Sequence, residues 1–146
     1  MNLIRNLYSN HIFKKGREAF LFSLISFWLT VVISRLIALD VERGRGIFTY
    51  LYIRGYHIHH FYYGILILII SNWLALIRYK RLYRRLSKVI AGFMFGAGLG
   101  FVTDEFGLLL TMEFGIKGNY WASQSYWAIG AASIVLLLCF LFAKVD

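Results

Sequence analysis

The chain has 146 residues, 60% of them hydrophobic and 18% aromatic, with no proline and a formal net charge of +9. A soluble domain of this size leaves much of its area in water and needs far more polar surface, so the composition excludes one. Nucleic-acid binding is excluded with it, because no basic soluble domain exists to carry the charge. What remains is an integral membrane protein.

Four apolar runs follow in chain order, over residues 19–39, 61–77, 89–112 and 126–143. Each approaches or exceeds the roughly 20 residues that cross a bilayer core. None alternates as barrel strands do, so lipid leaves only helices. The predicted fold is all-α: one transmembrane domain over 1–146, a bundle of four transmembrane helices at about 18–40, 57–79, 86–112 and 122–143.

The first helix is too long for a signal-peptide core and is read as retained. Cations precede it at Arg5, Lys14, Lys15 and Arg17. Six more, Arg78, Lys80, Arg81, Arg84, Arg85 and Lys88, lie between helices two and three, and Lys144 follows helix four. The positive-inside rule puts both termini in the cytoplasm of a prokaryotic plasma membrane, with loops 40–56 and 113–125 outside. The basic loop is also suited to anionic lipid headgroups. Along helix one, Ser23, Ser26, Thr30 and Ser34 form a small polar row with Arg35 beside it. The loop beyond it alternates at Phe48, Tyr50 and Tyr52, which is strand-like or interfacial.

Helix two opens on RGYHIHHFYYG, with His57, His59 and His60. His57, His60 and Gly64 share a side if the helix starts early enough; His59 replaces His57 if the preceding segment is extended. In helix three Gly92, Gly96 and Gly100 lead at every fourth residue to Asp104. A small-residue stripe marks a close helix contact, within the protomer or in a homo-oligomer. Asp104 is therefore directed inward, while Glu105 points about 100° away and needs its own partner. Before helix four, Tyr120, Trp121, Tyr126 and Trp127 read as boundary anchors or a rim over the site. Cys139 has no partner in the chain and excludes a disulfide framework.

Three helices thus carry their polar groups to one depth. Arg35 lies about 7 Å and Asp104 about 12 Å below the outer ends of their helices, and the histidines open helix two from the same side. A carboxylate in lipid must be neutralised. Arg35 is the charge partner for one. For the rest, one solution is a metal site of His57, His59, His60 and Asp104 holding zinc or another divalent transition metal. Asp104 and Glu105 are then the catalytic carboxylates of a metal-dependent hydrolase acting on lipid-type substrates. The alternative is a non-enzymatic transport or channel subunit, or a structural membrane partner, in which the same residues form an Arg–His–carboxylate network.

The stretches IHHFYYGILILIISNWLAL, FGAGLGFVTDEFGLLL and NYW resemble a group of small uncharacterised prokaryotic integral membrane proteins. That group shares an I-H-H-x-x-x-G helix start, a glycine-rich helix ending in D-E-F and a following Y-W. The resemblance covers roughly residues 54–121 and places emphasis on His59, His60, Gly64, Asp104, Glu105, Tyr120 and Trp121; it implies no activity. Outer-face histidines with a carboxylate are also similar to membrane hydrolases of the adiponectin-receptor and ceramidase type. This chain departs from those in having four helices rather than seven and no second histidine box.

Overall fold

The computed structural model describes residues 17–44, 52–54, 56–77, 81–112 and 118–142. Its elements are α1 (Glu18–Arg43), β1 (Tyr52–Ile53), β2 (Tyr56–His57), α2 (His60–Leu76), α3 (Arg81–Asp104), α4 (Phe106–Thr111) and α5 (Ser123–Phe142). The chain is an all-α bundle with one two-residue antiparallel hairpin, Tyr52 opposite His57 and Ile53 opposite Tyr56.

Among the described residues, three helical segments are long and apolar enough to cross a membrane: Glu18–Arg43, Arg84–Thr111 (α3 and α4 together) and Ser123–Phe142. The fourth, α2, has 17 residues and is shorter than expected. Its predicted start at residue 57 is corrected to His60, because Tyr56 and His57 pair with the preceding strand and the backbone stays extended through His59 (φ −77°, ψ 146°). The third span differs in the other direction. It begins at Arg81, so Arg84, Arg85 and Lys88 sit on a helix rather than in a loop, and it is divided at Glu105.

α3 is the central element, packed along both α1 and α2, while α5 rests on α1 and α3. Its glycine row does the work on the α1 side. A Cβ added at Gly92 would lie 2.4 Å from the Ala19 carbonyl oxygen, at Gly96 2.0 Å from that of Ser23, and at Gly100 2.9 Å from that of Phe27. The partners climb by four residues as the glycines do, so α1 and α3 run parallel with backbones in contact, and the Gly92–Gly100 stripe is used inside the protomer. Ser23 and Ser26 donate across this seam to the carbonyls of Gly92 (2.6 Å) and Phe93 (2.8 Å). On the other side, Gly64 and Gly98 also bring the backbones of α2 and α3 together, a Cβ at either lying 2.9 Å from the other's carbonyl oxygen, and Ser71 donates to the Ala91 carbonyl at 2.8 Å.

The apolar core is small: Phe27, Val31, Ile129 and Leu136. Large side chains such as Trp28, Leu36, Ile69, Trp73, Trp127 and Ile134 face outward instead. That inversion suits hydrocarbon, where association depends on close backbone packing and polar contacts rather than on hiding apolar area. The seam is closed at one end by an ion pair from Arg85 to the buried Glu18, and at the other by the pair between Arg35 and Asp104.

Candidate functional site: an Arg–His–carboxylate network

The glycine row delivers Asp104 to the last position of α3, facing α1, and α2 begins at the same level. Asp104 is completely enclosed. Its Oδ1 accepts from Arg35 Nε at 2.5 Å; its Oδ2 accepts from the Tyr120 hydroxyl and lies 3.1 Å from His60 Nε2. Its main-chain carbonyl accepts from Arg35 Nη2 at 3.2 Å and from Ser125 Oγ at 2.8 Å. Arg35 therefore grips Asp104 through one carboxylate oxygen and the backbone, not as a fork on the carboxylate.

Three rings surround that guanidinium. Its carbon lies 4.8 Å from the ring centre of Tyr120, 5.0 Å from Trp121 and 4.8 Å from Tyr126. Cation–π attraction adds to the ion pair, and the rings keep water from it. Trp121 is held in turn by its indole N–H, which donates to Glu42 at 3.1 Å. Burial, and then the charge of Asp104, push the Tyr120 phenol above its ordinary range, so it stays a donor.

Glu105 has the separate partner its direction required. Its Oε1 lies 2.9 Å from His59 Nδ1, and its Oε2 accepts the Phe61 backbone N–H at 2.7 Å. Phe61 is in the first turn of α2, a helix whose N-cap residue, His59, makes no side-chain capping bond. Glu105 thus caps α2 from the junction between α3 and α4, placing negative charge at the positive end of its dipole. His60 stands between the two acids, with Nε2 on Asp104 and Nδ1 3.7 Å from Glu105 Oε1, the latter beyond hydrogen-bond reach.

The structure brings Arg35, His59, His60, Asp104 and Glu105 together as expected. The side chain of His57 falls outside the described residues. Among those residues, no group of three His, Cys, Asp or Glu side chains is arranged to hold a metal ion, and no buried side-chain nitrogen or oxygen lacks a partner. The imidazole nitrogens that reach the acids lie at hydrogen-bond distance from individual carboxylate oxygens. As arranged, this is a self-satisfied network rather than an open set of ligands.

Sequence reasoning missed three contributors. Tyr120 reads as a generic interfacial anchor, and only the N-Y-W resemblance points to it. Ser125 gives no signal, because what it touches is the backbone of a distant segment. The Glu18–Arg85 pair was legible in principle: acid then cation along α1 (Glu18, Arg35) is matched by cation then acid along α3 (Arg85, Asp104), at spacings of 17 and 19 residues. No protein-family model, curated protein or solved structure matches the chain.

Proposed function

We propose that the protein is a non-enzymatic, multi-pass membrane component in which the network fastens three spans at one end, leaving its apolar faces to lipid or to partner helices. Both termini are placed in the cytoplasm of a prokaryotic plasma membrane, with the basic end of α3 meeting anionic headgroups there. A single observation carries this reading. Each carboxylate oxygen of Asp104 and Glu105 already has a nitrogen or hydroxyl partner from the protein. A zinc ion held by His59, His60 and Asp104 would compete with these partners for the same carboxylate oxygens and ring nitrogens.

Elemental analysis of untagged protein, paired with thermal unfolding in lipid nanodiscs, tests this. The locking role expects metal-free protein whose unfolding temperature is unmoved by a chelator. Stoichiometric zinc or iron, lost in His60→Ala, would replace it with the metal-dependent hydrolase, Asp104 and Glu105 then being its catalytic acids.

One feature favours a second, transport-type reading. His60 faces a different acid with each ring nitrogen, and Arg35 offsets only one of the two carboxylates. His59 and His60 lie at hydrogen-bond distance from Glu105 and Asp104, and imidazoles so placed can pass protons. Proton flux in liposomes, abolished by Glu105→Gln, is its signature; the absence of flux leaves the lock.

A further inference from the structure

α3 stops at Asp104 and α4 resumes at Phe106, with Glu105 (φ −92°, ψ 4°) in neither. Sharp breaks in a helix trace to proline, to glycine or serine pairs, or to a side chain inserted into the i→i−4 ladder. The chain has no proline, and Gly107 lies beyond the break. Thr103 Oγ1 does bond back to the carbonyls of Leu99 (2.9 Å) and Gly100 (3.3 Å), an arrangement that bends helices slightly.

The inserted group is Ser125, in the first turn of α5. Its completely buried hydroxyl donates to the Asp104 carbonyl at 2.8 Å and accepts the Gly107 N–H at 2.8 Å, so it joins a backbone group before the break to one after it. Its own N–H is bonded to the Ala122 carbonyl at 3.1 Å, which holds the side chain in place. A Cβ at Gly107 would lie 2.7 Å from Ser125 Oγ and 2.8 Å from its nitrogen, so only glycine lets the two segments meet.

We infer that the break in the third span is imposed by α5 through the Ser125 hydroxyl, and that α3 and α4 join into one continuous helix when that hydroxyl is removed. In lipid an unsatisfied backbone group is costly, so the freed Gly107 amide returns to a helical partner, while the Asp104 carbonyl keeps its bond from Arg35 Nη2 and opens its other lone pair to the Leu108 amide. The consequence falls on Glu105. In a straight helix it is redirected and its carboxylate leaves the Phe61 N–H. Consecutive residues of a straight helix already diverge by about 100°, and the bend adds the shift that seats Glu105 on the Phe61 N–H while Asp104 stays on Arg35 of α1. The inference holds whether the network is a lock or a metal site.

Amide hydrogen exchange, measured by NMR in lipid nanodiscs, separates this from a break intrinsic to the Thr103–Glu105 sequence. In Ser125→Ala the Gly107 and Leu108 amides should exchange about tenfold more slowly than in the wild type, since they enter a continuous helix. Ser125→Cys, which keeps the branching with a somewhat larger atom and supplies a weaker hydrogen-bonding group, should shift the same amides less in the same direction; it carries the test if the alanine variant does not fold. Faster exchange in the folded variants would mean that Gly107 N–H has lost its acceptor while the break persists. That result, or unchanged rates in both, overturns the inference.

Discussion

The two ends of the α1–α3 seam use the same chemistry with the signs exchanged. At the basic end α1 supplies the acid, Glu18, and α3 the cation, Arg85; at the histidine end α1 supplies Arg35 and α3 the acid, Asp104. The exchange selects direction. An antiparallel docking of the two helices would set Glu18 against Asp104 and Arg35 against Arg85, like on like. The surroundings separate the two pairs in strength. The Arg85 side chain is 54% exposed and that of Arg35 only 12%. Water can replace Glu18 for Arg85, whereas Arg35 has an enclosed acid beneath it and three rings around it. A pair exposed to water contributes about 0–1 kcal/mol and weakens with salt, while losing one partner of an enclosed pair costs about 3–5 kcal/mol. One end chooses the direction; the other holds it.

Asp104→Asn should break the contrast most strongly. It leaves the enclosed Arg35 without a counter-charge, and thermal unfolding in nanodiscs should show a loss of about 3–5 kcal/mol. A loss below about 1 kcal/mol would make the two ends energetically alike. Tyr120→Phe removes one donor from the same carboxylate and should cost about 1.5–3 kcal/mol by the same measurement. It also carries a pH signature. Tyr120 lies in the turn outside the spans, and its folded-state pKa is raised above the ordinary value of 10.0, by burial first and then by Asp104. The folded chain therefore holds that proton more tightly than the unfolded one. Stability from this group is complete below about pH 10 and is lost as pH rises past it, so unfolding temperature against pH should fall less steeply above that point in Tyr120→Phe.

Smaller effects sharpen the comparison. Glu105→Gln keeps the shape but removes the charge that caps α2, and should cost about 1–2 kcal/mol, with faster exchange of the Phe61 amide as the local sign. If that amide is unaffected, the cap is not electrostatic. Glu18→Gln should cost less than about 1 kcal/mol, and the difference from wild type should shrink in high salt. A salt-independent loss as large as that of Asp104→Asn would show that Arg85 is not solvated.

Much of this was legible because membrane helices advertise their contacts. The Gly92, Gly96 and Gly100 row pointed to Asp104, and the row does bring α1 within backbone contact. The meeting of His59 and His60 with Asp104 and Glu105 followed from depth alone, since polar groups at one level of an apolar bundle have only one another. What stayed hidden had its cause on another element. The α2 start was misplaced because His57 is held by strand pairing with Tyr52. The break at Glu105 has neither proline nor glycine at its own position, and its splint belongs to α5. Glu18 sits among cations that read as a signal for orientation, and its partner is 67 residues away.

The parallel docking of α1 and α3 bears on the order in which the chain can be assembled. α1 carries Arg35, yet the acid that satisfies it is made 69 residues later, at the final residue of α3. Until then α1 and α2 lack the residue that ties them to one network, since Arg35 and His60 both meet Asp104. Biogenesis is in this sense back-loaded. A polypeptide released after α2 would carry Arg35 without the acid that pairs with it in the finished bundle.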